Sequence, residues 1–262
     1  MKIAILGSGN VAMHLSKALI HAGHPIIQVW SRQYQNAQNL ALEIGSDAIA
    51  SIADISESVN IIFLAVADDA IETLANQIPK SANRLIVHNS GSTDIQVLKH
   101  FFDHVAVLYP LQTFSKTAVV DFKQIPLFIE SSSDQAQEII SKLAHQLSDK
   151  VQYANSETRM CLHISAVFAC NFTNHLYTIA QQILTEKNLD FDLLRPLIAE
   201  TANKIIGDLP TQVQTGPASR NDEKTINKHV LLLQEHPHWQ KIYQLISQDI
   251  VKIYQPNLSD HK

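Results

Sequence analysis

Cysteine, glycine and basic charge are all scarce in this chain of 262 residues. Only two cysteines occur, Cys161 and Cys170. They fall in one expected helix, where their separation at about 100° per residue sets them on opposite faces. They cannot bridge each other there, and nothing else points to an oxidising compartment, so a reduced, cytoplasmic protein is expected. Twenty Lys and Arg against 25 Asp and Glu leave a net charge of −5. That excludes a basic field for nucleic acid or an anionic membrane surface. No apolar run approaches the roughly 20 residues that span a bilayer. The first apolar stretch stops at Gly7, too short for a secretory signal. The 13 histidines read as scattered surface or core residues, so no metal is expected.

The few glycines present are concentrated where they matter. Ile3 to Leu6 is an apolar run long enough for a strand buried on both faces. Gly7-Ser8-Gly9-Asn10-Val11-Ala12 follows at once, and a helix-period pattern through Val11, Leu15 and Leu19 comes next. Strand, glycine turn and helix stand in the order a dinucleotide site requires. Gly7 permits the tight turn, Gly9 lets a pyrophosphate lie against the backbone, and Ala12 is small where helix and strand meet closely. The helix N-terminus offers unpaired N–H groups and a positive dipole end to phosphates.

The second strand, Ile26 to Trp30, ends in Ser31-Arg32. An NAD site usually carries Asp or Glu at this point to bind the ribose 2′-OH. A hydroxyl and a guanidinium suit a 2′-phosphate instead, so NADP is the expected cofactor. The alternative is a solvent-exposed Arg at a strand end. Further strands are expected at 48–50, 61–66, 84–88, 105–108, 126–130 and 151–153. The exit Ala65-Val66-Ala67 of the fourth strand belongs at the carboxyl edge of the sheet, where a cofactor crosses. Asp69 and Glu72 just beyond fit a capping box. Ser90-Gly91 leaves the fifth strand, where Ser90 and Ser92 either approach the nicotinamide or cap the next helix. Tyr109 to Phe114 leaves the sixth, with Gln112 and Thr113 as hydrogen-bonding groups between apolar neighbours.

From Ser156 the pattern becomes helical, with one helix expected to run to about Glu186. Phe168, Phe172, Leu176, Ile179 and Ile183 form one apolar stripe. Arg159, His163, Asn171 and Asn174 fall on another, within an arc of roughly 120° by the helix period. Neither Lys nor Glu occurs between Glu157 and Glu186, so this polar stripe faces a cleft or a partner. The loop from Thr215 to Asp222 follows, in which Ser219 and Asp222 fit a capping box. A helix with Ile226 and His229 on one side comes next. In a last helix, Trp239 to Tyr254, Ile242, Leu245, Ile246, Ile250 and Ile253 point inward. The expected fold is α/β: a doubly wound, mainly parallel sheet over residues 1–154, then an all-α domain over 155–262.

Four stretches carry a family resemblance: Gly7 to Ala12, Tyr109 to Phe114, His163 to Phe172, and Thr215 to Asp222 with His229. The chain resembles the Rossmann-like proteins with a DUF2520 C-terminal domain. It is similar in architecture to pyrroline-5-carboxylate reductase and the 6-phosphogluconate dehydrogenase superfamily. The resemblance implies an NADP-dependent oxidoreductase with a cleft between a nucleotide domain and a helical domain, and a homodimer formed through the latter. Hydroxyacid dehydrogenases of that superfamily place a catalytic Lys where this chain has His163, and their Gly-rich helix start is missing here. Pyrroline-5-carboxylate reductases carry a proline–glycine–glycine–threonine–threonine loop where this chain reads Thr215-Gly216-Pro217-Ala218, so neither substrate class carries over. The residues suggest hydride transfer between NADPH and a small carbonyl or imine. His163 would be the general acid, Gln112 and Asn171 would orient the substrate, and Arg220 would hold a carboxylate. The alternative is an NADP(H)-binding sensor without turnover.

Overall fold

The computed structural model describes residues 1–82, 84–117 and 120–256. By its sequence the chain is expected to fray from Gln255, and residues 257–262 of that stretch lie outside the described residues. Eight strands form one sheet in the order β3-β2-β1-β4-β5-β6-β7-β8. They are β1 (Ile3–Leu6), β2 (Ile26–Trp30), β3 (Asp47–Ile49), β4 (Ile61–Leu64), β5 (Leu85–His88), β6 (Val105–Pro110), β7 (Leu127–Ser131) and β8 (Val151–Tyr153). Every expected strand is present. All pairings are parallel except β6 with β7.

The apolar runs are continuous because both faces of the sheet are covered. Ile3 and Ile5 of β1 pack into one core cluster, and Ala4 and Leu6 into the other. Helices α1 (Asn10–His21), α2 (Tyr34–Ile44) and α5 (Asp134–Leu147) supply the first cluster. The short α3 (Ile71–Ala75) and α4 (Gln96–Lys99) supply the second. Strand β1 is flanked by β2 on one side and β4 on the other. The chain order therefore reverses there, and a crevice opens at the carboxyl ends of β1 and β4.

The chain divides into two compact units, Met1–Phe172 and Thr173–Lys262. The helical run expected from Ser156 spans both. It comprises α6 (Ser156–Ala166), a π-helical turn (Val167–Phe172) and α7 (Thr173–Thr185). The second unit holds α7 with α8 (Arg195–Gly207), α9 (Pro210–Val213), α10 (Glu223–Leu232) and α11 (Pro237–Tyr254). No described helix is long and apolar enough to cross a membrane.

The second unit departs from expectation in one respect. The last helix, expected to face inward, leaves much of its apolar stripe uncovered, as does α7. Of its described residues only Ile179, Ala218 and Ser247 are buried, whereas Leu176, Ile183, Leu245, Ile246 and Ile253 are exposed and Ile206 is 83% exposed. Helical periodicity specifies which residues share a face but not what covers that face.

Candidate active site

The crevice at the switch point is a cleft of about 1020 Å³ in the first unit, lined from Gly7–Val11, Ser31–Arg32, Ala65–Ala70, Asn89–Gly91, Tyr109, Gln112 and His163. Its floor is the glycine turn. Gly7 has a φ of +126°, and an ideal Cβ there would lie 2.0 Å from the Ala65 carbonyl oxygen. The turn is pinned on both sides, by Gly7 N–H donating to Trp30 (2.8 Å) and Ala65 N–H donating to Leu6 (2.8 Å). Gly9 differs. Its φ of −76° and ψ of −174° suit any residue, and nothing lies within 4 Å of its missing Cβ. The protein itself does not require glycine there, and the open space in front is where a ligand backbone fits. Gly9 is also the N-cap of α1 and provides no side-chain cap, so the first N–H groups of that helix remain available to an anion.

At the end of β2, the Ser31 and Ser8 hydroxyls hydrogen-bond across the turn at 2.8 Å. Arg32 beside them is exposed and makes no ion pair among the described residues. A hydroxyl pair and an uncommitted guanidinium on the cleft wall fit a 2′-phosphate, and no carboxylate occupies the position just after the strand.

Two expected caps are absent. Asp69 does not cap: the 3₁₀ turn Asp68–Ala70 and α3 both begin without a side-chain cap. The neighbouring Asp68 instead accepts a short hydrogen bond from the Ser92 hydroxyl. Ser90 and Ser92 do not cap α4, whose N-cap is Ile95. The Ser90 hydroxyl accepts from the N–H groups of Ser92 (3.1 Å) and Thr93 (2.9 Å), closing a local turn. In the second unit, Asp222 caps α10 by accepting from Thr225, while the Ser219 hydroxyl donates to Gly216. The expected Ser219–Asp222 box is thus replaced by a single Asp cap.

The far wall comes from α6. Arg159 is 1% exposed and paired with Glu130 of β7, so it is not part of an open polar face. It also donates to the carbonyls of Ser90 (3.1 Å) and Thr93, and to the Ser156 hydroxyl (3.3 Å). This buried knot ties the first turn of α6 to the Ser90–Thr93 loop. One helical turn further on, His163 stands half-buried in the cleft with Nδ1 3.2 Å from the Tyr109 hydroxyl. Gly91 is buried against this pair. A Cβ on it would lie 2.7 Å from Tyr109 Cζ and 2.8 Å from His163 Nδ1. Burial pushes the Tyr109 phenol up from its usual pKa, with Arg159 lowering it and Asp68 raising it.

Not every expected site residue lies here. Gln112 lines the cleft but is exposed, with its Oε1 accepting from Thr113 N–H (2.8 Å). Asn171 is exposed and does not line the cleft. It lies eight residues beyond His163, on the π-helical turn, with its side chain at the surface. Arg220 sits exposed on a 3₁₀ turn of the second unit. Tyr109 and Glu130 emerge as site residues that pattern reasoning did not single out, and Arg159, placed on the polar stripe, proves to be buried against Glu130. One signal was available: an acid at the end of an otherwise apolar strand, Glu130, needs a buried cation.

His88, at the end of β5, is fully buried. Burial, reinforced by the Arg159 charge, pushes its pKa down to about 3. The unfolded chain gains a proton on this group below about pH 6.5, while the folded protein does not until about pH 3. The titration of His88 therefore costs little at pH 7, and between those values it costs up to about 1.4 kcal/mol per pH unit as the pH falls. His88→Gln, which keeps an acceptor for the Ser90 N–H, is expected to flatten that acid-side loss in urea melts at pH 7, 6 and 5.

Comparison with known proteins agrees with this geometry. Residues 2–90 match the family described as NADP oxidoreductase, coenzyme F420-dependent, and residues 125–250 match the domain of unknown function DUF2520. A Bacteroides fragilis protein described as a "putative NADP oxidoreductase" is 40% identical over 96% of this chain and 98% of its own, with a TM-score of 0.91. A Thermotoga maritima protein at 24% identity covers 97% of this chain and 99% of its own, with a TM-score of 0.73. An imine reductase from Myxococcus stipitatus, in complex with NADP+, shares the fold at 14% identity, over 100% of this chain and 95% of its own, with a TM-score of 0.65. No curated protein matches the chain. With that identity to the Bacteroides protein over nearly its whole length, the chain belongs to the DUF2520 family, with an NADP oxidoreductase-type nucleotide domain at its N-terminus.

Proposed function

We propose that the protein is an NADP(H)-dependent oxidoreductase acting on a small carbonyl or imine. The observation that carries the reading is that one cleft contains the glycine turn, the Ser31–Arg32 pair and the Tyr109–His163 pair. The glycine turn and the N-terminus of α1 hold the pyrophosphate, and Ser31 with Arg32 holds the 2′-phosphate. NADP(H) supplies or accepts the hydride when bound. The chain's own task is to orient the substrate and move one proton. His163 delivers that proton to the product oxygen or nitrogen in the reducing direction, since an imidazole is protonated and deprotonated near neutral pH. Gln112, on the cleft wall, orients the substrate. Asn171 and Arg220 lack a comparable argument and have no role in this reading.

His163→Ala is expected to lower kcat roughly 100-fold or more, the usual worth of general acid–base catalysis. NADPH affinity should stay within about twofold, because the imidazole acts on substrate rather than on ground-state nucleotide binding. Undiminished turnover would remove His163 from the mechanism. NADPH binding with no oxidation across a panel of keto acids and cyclic imines would favour a sensor instead.

The working form is a homodimer built through the second unit. A unit that buries so few of its own apolar side chains cannot offset the entropy of ordering its chain. Covering Leu176, Ile183, Leu245 and Ile206 with a second copy supplies the missing burial. Sedimentation equilibrium is expected to give the mass of two chains, and a concentration-independent single-chain mass would contradict this.

A further inference from the structure

We infer that Tyr109 is a positioning residue that fixes the proton of His163 on Nδ1, leaving Nε2 as the nitrogen that exchanges a proton with substrate. The inference deepens the oxidoreductase reading and rests on it, and its test reads the tautomer separately from turnover.

The geometry is specific. Tyr109 is 8% exposed at the end of β6, with its hydroxyl 3.2 Å from His163 Nδ1 and the two rings edge-on at 6.1 Å between centroids. Residues 54 apart in sequence meet here because Gly91 leaves no side chain between them. The ring of Tyr109 is held from behind by Phe128 at 6.5 Å between centroids. Nδ1 is thus committed to the phenol, while Nε2 has no partner among the described residues and belongs to a side chain on the cleft wall.

The direction of the hydrogen bond follows from the chemistry asked of Nε2. A reversible hydride transfer needs a group that gives a proton one way and takes it back the other. Nε2 can do both only if Nδ1 keeps its own proton throughout. That requires the Tyr109 oxygen to accept from Nδ1–H, as an acid-holding partner does for the histidine of a hydrolase triad. In the reducing direction the Nε2–H bond breaks, its proton goes to the product oxygen or nitrogen, and neutral imidazole with Nδ1–H remains. The electrons of the new C–H bond come from the hydride donor. Two charged side chains, Arg159 and Asp68, bear on the Tyr109 hydroxyl. Arg159 of α6 is paired with Glu130 of β7, and Asp68 lies in the exit of β4. His88 of β5 is held neutral. With the guanidinium committed to Glu130 and the Asp68 carboxylate accepting from the Ser92 hydroxyl, the phenol is the group in contact with His163.

The test is histidine ¹⁵N NMR on the full-length protein, with the His163 signal assigned by its loss in His163→Gln. Above the pKa, the wild type is expected to show a protonated Nδ1 and a bare Nε2. Tyr109→Phe keeps the ring and removes the oxygen, and is expected to shift the population towards the Nε2–H form that free histidine favours. In the same variant, the pH at which kcat falls on the alkaline side should move down, because a hydrogen bond that favoured the imidazolium is gone. An Nε2–H tautomer in the wild type would overturn the inference, as would a tautomer balance unchanged by Tyr109→Phe. Undiminished turnover in His163→Ala would instead defeat the catalytic reading and leave the tautomer measurement standing.

Discussion

Gly7→Ala is expected to destabilise the protein and abolish useful NADPH binding together, whereas Gly9→Ala should lose binding alone. At Gly7 the backbone lies in the left-handed half of φ space, and a Cβ would overlap the Ala65 carbonyl. Strain at such a position costs about 1–3 kcal/mol and overpacking about as much again. Relieving the clash moves β1 away from β4, and with them the N-terminus of α1. Losing even one charge-assisted hydrogen bond to phosphate, at about 1.5–3 kcal/mol, lowers affinity roughly 10- to 100-fold. At Gly9 the dihedrals suit alanine and the space is open, so the urea midpoint should be unchanged. The added methyl then stands where a pyrophosphate would lie. The contrast is read by urea unfolding and by NADPH fluorescence titration on both variants. Equal stability loss in the two would show that Gly9 serves the fold rather than a ligand.

The second large effect concerns Arg159. Arg159→Ala leaves Glu130 buried without its cation and the carbonyls of Ser90 and Thr93 without a donor. Breaking one side of a buried ion pair costs about 3–5 kcal/mol. Turnover should fall as well in protein that remains folded, because the same guanidinium anchors the helical turn that precedes His163. Replacing both partners, Arg159→Met with Glu130→Leu, is expected to recover much of the stability, since a packed apolar pair avoids the desolvation penalty. Turnover should not recover with it, because the link to the Ser90–Thr93 loop is still missing. If the double variant is no more stable than Arg159→Ala, the pair's worth lies in its attraction rather than in the cost of leaving Glu130 alone.

These expectations separate what is local in the sequence from what is not. The glycine turn, the strands and Ser31-Arg32 are legible because each depends on residues adjacent in the chain, with spacing set by backbone geometry. The Tyr109–His163 and Glu130–Arg159 pairs join residues far apart in sequence, and no periodicity encodes such meetings. Arg159 does share a helix face with His163, as the wheel indicates. The wheel cannot show that this face turns into the protein at Arg159 and opens to the cleft at His163. Nor does a wheel show how far along the helix the cleft extends, and Asn171 lies beyond its lining. The apolar stripes of α7 and α11 are correctly read as stripes, but the surface that would cover them is not encoded within one chain.

The measurement that bears most directly on the central claim is the affinity of the cleft for NADPH against NADH, followed by nicotinamide fluorescence in wild type and Arg32→Ala. Wild type is expected to favour NADPH by roughly tenfold or more, the worth of one charge-assisted contact to the 2′-phosphate. Arg32→Ala should erase that preference while leaving NADH binding unchanged. A wild type that binds both equally, or prefers NADH, would contradict the account.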